Sequence, residues 1–345
     1  MTARLNVRLS LALLGVAASA LGAVAVGVLI AALPGADGLM VALALVTAAG
    51  LTLATIHNPA IGGYVLIAAV PIISGLKSGV PIPGFRPSEI LIGGLAAVIL
   101  VTAPRERRVG WKAFDWLALA YALTMALMGS YDLAASGAPF TNEVLGKLFG
   151  PFQFLLLYRA VTTSLQGDGR LRRAINLALF MSVPVSALAI LQHFDQLGVR
   201  SILQNLTGTT PGDLSKDPGF VIGDRATGPF AAWHTLGGYL VVVVLLCVVL
   251  MLQGKASHLN LRAISLVLLP ALAALLVTGS AAPVLGALAG SLLLGAWLGR
   301  LKPALVITAA TVAAAVFFFS PLIEARCNQQ FSGRAVIHGV TVPRR

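Results

Sequence analysis

The feature that most constrains this chain is a series of long stretches without a single Asp, Glu, Lys or Arg. One such stretch lies between Asp37 and Lys77, and the ranges 226–254, 263–299 and 303–323 also lack charged residues. Charged residues make up 10% of the sequence, whereas soluble domains carry about 25%. Because roughly 20 consecutive apolar residues form a helix that spans a bilayer, the stretches predict an all-α integral membrane protein.

The hydropathy pattern divides into about eleven candidate transmembrane helices, which predicts a polytopic bundle. They are 9–33, 39–56, 60–76, 88–103, 116–130, 144–163, 174–192, 235–252, 263–278, 283–298 and 303–320. The first run is longer than the apolar region of about 7–15 residues in a cleavable signal peptide, so we interpret it as a retained helix. Residues 1–320 are predicted to form one membrane domain, and 321–345 a periplasmic tail that is incomplete or disordered.

The distribution of positive charge predicts the orientation. With the amino terminus in the cytoplasm, the cytoplasmic loops carry fourteen of the 24 Lys and Arg residues but three of the twelve acidic ones. This asymmetry is typical of the cytoplasmic side of a membrane. The sixth helix contains Lys147 and Arg159, and we keep it because its removal would place basic clusters on both sides. The net charge of +12 therefore suits anionic lipid head groups, and no nucleic-acid partner is expected.

The polar connection 193–233 is the longest in the chain, and we expect it to face a ligand. It leads through Arg225 into the eighth helix. An arginine with glycine neighbours at the start of a helix suits a phosphate group, because guanidinium binds phosphate through two parallel hydrogen bonds and helix amino termini attract anions. The alternative is an interfacial arginine, with Trp233 and Tyr239 as aromatic residues of the membrane boundary.

Three further residues are candidates for the same site. Arg86 and Lys77 extend a basic outer groove, and His234 is a candidate general base, with a plain structural role as its alternative. The sequence has no phosphate-binding loop, no HExxH and no CxxC pair. We therefore expect neither a metal nor a cofactor.

The segment from Arg225 to Leu240 resembles the core motif of the O-antigen ligase and O-antigen polymerase family. Residues 85–91 and Thr278-Gly279-Ser280 are similar to two further segments of that family. The resemblance implies a metal-independent glycosyltransferase of the bacterial cytoplasmic (inner) membrane, acting in lipopolysaccharide biosynthesis. Such a ligase or polymerase moves a glycan from undecaprenyl diphosphate to a lipid A-core, glycan or protein acceptor. By the same resemblance, Arg225 binds the diphosphate.

The chain departs from the family at three places. His234 replaces the usual Asn, Ala281 replaces a second arginine, and the sequence ends within the loop that carries the family's catalytic His. An active transferase and a truncated, inactive member are both compatible with these departures. A small-solute transporter of the inner membrane and a non-catalytic scaffold of polysaccharide assembly stay open as alternatives.

Overall fold

The computed structural model describes residues 38–77, 86–103, 110–137, 142–207, 225–254, 259–313, 316–317, 334–337 and 340–343. The chain forms two compact units, Met1–Leu177 and Ala178–Arg345, and each is described by itself. The predicted boundary between a membrane domain and a tail at residue 320 stays a prediction.

The first unit is built from apolar helices. They are α1 (Gly38–His57), α2 (Pro59–Ile73), α3 (Pro87–Thr102), α4 (Ala113–Ser136) and α5 (Asn142–Ser164), followed by the start of α6 (Asp168–His193). Helix α5 is the centre of the unit, because it packs against α2, α3 and α4. The core between these helices consists of Leu66, Ile92, Leu95, Ala96, Ile99 and Ala160. Pro59 begins α2 directly after Asn58, whose side-chain oxygen accepts a hydrogen bond from the backbone N–H of Ala60.

A buried ion pair joins α4 to α5. A guanidinium nitrogen of Arg159 lies 3.2 Å from a carboxylate oxygen of Asp115, whose side chain is 1% exposed. The guanidinium also lies over the ring of Trp111, 5.4 Å from the centroid. Asp115 thus pairs with a basic residue of the sixth predicted helix, and α5 runs through Arg159 as one helix.

The second unit begins inside α6 and contains the remaining elements. They are a 3-10 turn (Gln196–Gly198), α7 (Val199–Thr207), α8 (Trp233–Gln253), α9 (Leu261–Val277), α10 (Ala281–Trp297), α11 (Leu301–Ala313) and an antiparallel hairpin of β1 (Arg334–Ile337) and β2 (Val340–Pro343). Helix α8 packs against both α9 and α10. A side chain on Gly290 of α10 would collide with Leu245 of α8, which is why a glycine suits this helix contact.

Ten of the eleven predicted spans coincide with helices α1–α6 and α8–α11, and the first, 9–33, lies outside the described residues. Within the described part of the chain, three helices are long and apolar enough to cross a membrane: Ala113–Ser136, Gly169–His193 and Trp233–Gln253. Helices α9 and α10 have 17 residues each, the lower limit for a membrane of about 30 Å. The total of eleven spans stays a prediction.

Two elements of the second unit differ from the sequence-based expectation. Helix α7 lies in the connection 193–233, where we predicted only a loop. The hairpin β1–β2 lies in the tail 321–345, where the sequence predicts no regular element. Both elements are short, and neither contains an apolar stretch as long as those from which the helices were predicted.

Candidate functional site

The turn before α8 is tied to the end of α9. The backbone N–H of Ala226 donates to the carbonyl oxygen of Val277 over 3.0 Å. Gly228 has a φ of +56°, a left-handed conformation that glycine adopts without a steric cost. The turn therefore lies beside residues 278–280, although about fifty residues of sequence separate the two segments.

Gln192, in the last turn of α6, holds the same turn from the other side. Its side-chain oxygen accepts hydrogen bonds from the backbone N–H groups of Thr227 (2.9 Å) and Gly228 (2.8 Å). Its side-chain nitrogen donates to the hydroxyl of Thr227 over 3.1 Å. Because Gln192 is 8% exposed and water is largely excluded, these bonds fix the backbone next to Arg225.

Arg225 and His234 meet around one aromatic ring. The guanidinium carbon of Arg225 lies over Trp233, 4.2 Å from the ring centroid. The His234 ring stands edge-on to Trp233, with centroids 5.3 Å apart and an interplanar angle of 88°. The cation–π contact orients the guanidinium, while the imidazole is exposed.

Helix α8 begins with positive electrostatic character. Its N-cap residue, Ala232, makes no side-chain hydrogen bond to the helix, and the first turn contains no acidic residue. Helix α10 begins in the same way at Ser280. The first backbone N–H groups of a helix lack intrahelical partners and carry the positive end of its dipole. Each of these two helix ends therefore favours a negatively charged ligand.

The starts of α8 and α10 lie side by side. A side chain on Gly237, the fifth residue of α8, would come within 2.6 Å of the ring of Pro283, the third residue of α10. Glycine allows this close approach. The guanidinium of Arg225 lies at the start of α8, and the start of α10 contacts α8 one turn further along. A guanidinium at a helix amino terminus can bind a phosphate or diphosphate.

The other two sequence candidates belong to the first unit. Arg86 is the exposed N-cap residue of α3, and its backbone N–H donates to a carboxylate oxygen of Glu89 over 2.9 Å. Lys77 is exposed and follows α2. The structure thus unites Arg225 with His234, and the participation of Arg86 and Lys77 stays a prediction.

Sequence reasoning missed the role of Gln192, and it missed that Trp233 contacts both Arg225 and His234. A polar residue in the last turn of an apolar helix was the available signal for Gln192, but its partners lie 35 and 36 residues away. Among the described residues, no three His, Cys, Asp or Glu side chains come together as a metal site.

Comparisons with protein-family models, curated proteins and solved structures find no match for this chain.

Proposed function

We propose that the chain is an O-antigen ligase-like glycosyltransferase that takes a glycan from undecaprenyl diphosphate. The observation that carries the proposal is the position of the Arg225 guanidinium over Trp233, the first residue of α8. The start of α8 in turn contacts the start of α10 at Gly237 and Pro283. A diphosphate leaving group acquires negative charge as the glycosidic bond breaks. Preplaced cations and helix dipoles stabilise that charge without any reorganisation at the moment of reaction.

The proposed transfer needs a leaving-group site and a base. The acceptor hydroxyl attacks the anomeric carbon of the glycan, the bond between that carbon and the diphosphate oxygen breaks, and undecaprenyl diphosphate leaves with both bonding electrons. His234 takes the proton of the acceptor hydroxyl, because it is exposed and shares Trp233 with Arg225. In this proposal Arg225 and the helix ends stabilise the leaving diphosphate and His234 takes the proton, and no role is assigned to a metal.

The membrane arrangement is part of the proposal. Eleven spans with a cytoplasmic amino terminus place residues 193–233 in the periplasm of a bacterium, where lipid-linked glycans are joined to their acceptors. Two observations support it: the concentration of Lys and Arg in the alternate loops, and the agreement between the predicted spans and helices α1–α6 and α8–α11. The proposed partners are the lipid-linked donor, a lipid A-core, glycan or protein acceptor, and membrane lipids.

Arg225→Ala tests the proposal directly. The purified full chain is placed in lipid nanodiscs and its affinity for undecaprenyl diphosphate is measured, followed by transfer from a radiolabelled lipid-linked glycan to acceptor. Loss of a charge-assisted bidentate contact is expected to weaken binding about 30-fold, or roughly 2 kcal/mol. Transfer is expected to fall below detection.

Arg262→Ala is the matched control, because Arg262 is exposed on α9 and its loss removes the same charge. Equal binding by the Arg225→Ala and Arg262→Ala chains would refute the diphosphate site. Binding without transfer by the unaltered chain would refute the enzyme and leave the scaffold. Uptake of labelled solute by proteoliposomes without diphosphate binding would establish the transporter instead.

A further inference from the structure

The segment that follows α6 exposes four large apolar side chains outside the long helices. Its exposed apolar side chains are Phe194 (58%), Leu197 (84%), Ile202 (54%) and Leu206 (44%). They come from thirteen consecutive residues, the 3-10 turn and α7 included. Exposed apolar side chains concentrated in one short segment suit a surface that contacts another apolar phase.

Leu197 is also held in a strained backbone conformation. Its φ is +56°, and its neighbours Asp195 and Gly198 have φ values of +53° and +66°. Asp and Gly are common in the left-handed region, but a leucine there is an outlier. The turn therefore presents the apolar side chain with the highest exposed fraction of the segment at a steric cost, and such conformations persist at functional positions.

Helix α7 has one apolar face that the protein only half covers. Leu203 and Thr207 are one turn apart and buried, whereas Ile202 and Leu206 occupy the adjoining strip and are exposed. The polar residues Ser201 and Asn205 lie on the opposite side. An amphipathic helix with an exposed apolar strip lies in the boundary between lipid head groups and acyl chains.

The position of the segment identifies lipid as the phase that covers it. Phe194 follows His193 directly, and His193 ends a helix that is long and apolar enough to cross a membrane. The end of such a helix lies at the depth of the head groups. Arg200 of α7, whose side chain is 30% exposed, forms an ion pair with Asp195 over 3.9 Å, so a charged pair adjoins the apolar side chains, as is common at the head-group boundary.

The same segment is connected to the Arg225 turn. Arg200 donates to the carbonyl oxygens of Gln192 (3.4 Å) and His193 (3.3 Å). Gln192 in turn binds the backbone of Thr227 and Gly228 through its side chain. Residues 194–206 and Arg225 therefore lie at the same end of α6 and α8.

We infer that Phe194, Leu197, Ile202 and Leu206 form an interfacial anchor that inserts into the lipid head-group boundary and fixes the depth of the Arg225 site. The anchor goes beyond the proposed transferase activity, and it rests only on the proposed membrane crossing of α6. It explains why an exposed leucine is kept in a left-handed turn: the side chain is covered by lipid in the native setting.

Site-directed fluorescence tests the anchor. Cys247 and Cys327 are replaced by Ala in the full chain, and single cysteines are introduced as Leu197→Cys, Ile202→Cys and Leu206→Cys. Ser201→Cys and Asn205→Cys are the matched controls on the polar side of the same helix. Each chain is labelled with a nitrobenzoxadiazole probe in nanodiscs of phosphatidylethanolamine and phosphatidylglycerol, without a glycan donor.

Nitroxide-bearing lipids are expected to quench the probes at 197, 202 and 206 about threefold more strongly than those at 201 and 205. Iodide in the buffer is expected to give the reverse order. Equal iodide quenching at all positions would place the helix in water and overturn the anchor. Shielding of 197, 202 and 206 from both quenchers would also overturn it, in favour of a protein partner or a second copy of the chain. Because the fluorescence experiment contains no donor, a result that overturns the anchor would leave the diphosphate-binding test of Arg225 unaffected.

Discussion

Two helices of the first unit, α3 and α4, begin differently from two helices of the second unit, α8 and α10. In the first unit, α3 and α4 have a basic residue at the N-cap and an acidic residue three positions later: Arg86 with Glu89, and Lys112 with Asp115. Each carboxylate accepts the backbone N–H of its N-cap residue, over 2.9 Å in α3 and 2.6 Å in α4. In the second unit, the corresponding residues are Ala232 with Thr235 in α8, and Ser280 with Pro283 in α10.

The difference concerns which negative group occupies the positive start of the helix. In α3 and α4 the protein's own carboxylate occupies the positive end of the helix dipole. In α8 and α10 the first turn supplies no carboxylate, so a ligand anion can take that place. Both units also stack an arginine on a tryptophan. Arg159 lies over Trp111 and pairs with the buried Asp115, and Arg225 lies over Trp233 at the start of α8.

Asp115→Ala is expected to have the largest effect. It leaves Arg159 half-buried without its carboxylate and removes the cap of α4, which costs about 3–5 kcal/mol of unfolding free energy. The measurement is reversible unfolding of the purified chain in mixed micelles with increasing dodecyl sulfate, followed by intrinsic fluorescence. Donor binding by the folded fraction is expected to be unchanged.

The double variant Asp115→Ala, Arg159→Met tests the reason for that cost. With both charges removed, the loss is expected to be smaller than for Asp115→Ala alone. If the double variant were as unstable as the sum of the two single variants, the ion pair would not be the source of the effect.

Gln192→Met, in the second unit, is expected to have an intermediate effect on stability. Methionine keeps the size of the side chain but leaves the buried N–H groups of Thr227 and Gly228 without their acceptor, which costs about 2 kcal/mol. Because the turn that carries Arg225 loosens, affinity for undecaprenyl diphosphate is expected to fall about tenfold. Calorimetric titration in nanodiscs gives the affinity.

Gln192→Asn is the uncharged control, because its shorter side chain keeps an amide oxygen as acceptor without adding a negative charge near the proposed diphosphate site. It should retain more donor affinity than Gln192→Met. A purely structural role for Gln192 predicts instead that the Met variant loses stability while the folded chain binds the donor normally.

Thr235→Glu converts the start of α8 to the pattern of α3 and is expected to have the smallest effect on stability. Thr235 is exposed, so the new carboxylate can accept the N-cap N–H and stabilise the helix by about 0.5 kcal/mol. The same charge competes with a ligand anion, and donor affinity is expected to fall about tenfold. Thr235→Gln, which adds the side chain without the charge, should bind nearly as well as the unaltered chain, and equal losses in both variants would contradict an electrostatic site.

Much of the helical architecture followed from sequence, because apolar stretches and their interruptions are local properties of the chain. The turn at Asn58-Pro59 separates α1 from α2 as expected, and Thr278–Ser280 separates α9 from α10. Helix α7 was missed because nine residues with four apolar side chains resemble a polar loop when no packing is known. The sequence also contained no sign that Asp115 would pair with Arg159, 44 residues away.

For the candidate site, sequence alone determined that Arg225, Trp233 and His234 stand at the start of an apolar helix, since neighbours in sequence at a helix end must share it. Only the tertiary structure decided that the guanidinium lies on Trp233, that Gln192 holds the preceding turn, and that Ala226 joins the end of α9. Hydropathy and periodicity act within a few turns of helix, whereas these contacts depend on how helices far apart in sequence pack together. That packing brought the starts of α8 and α10 into contact at Gly237 and Pro283.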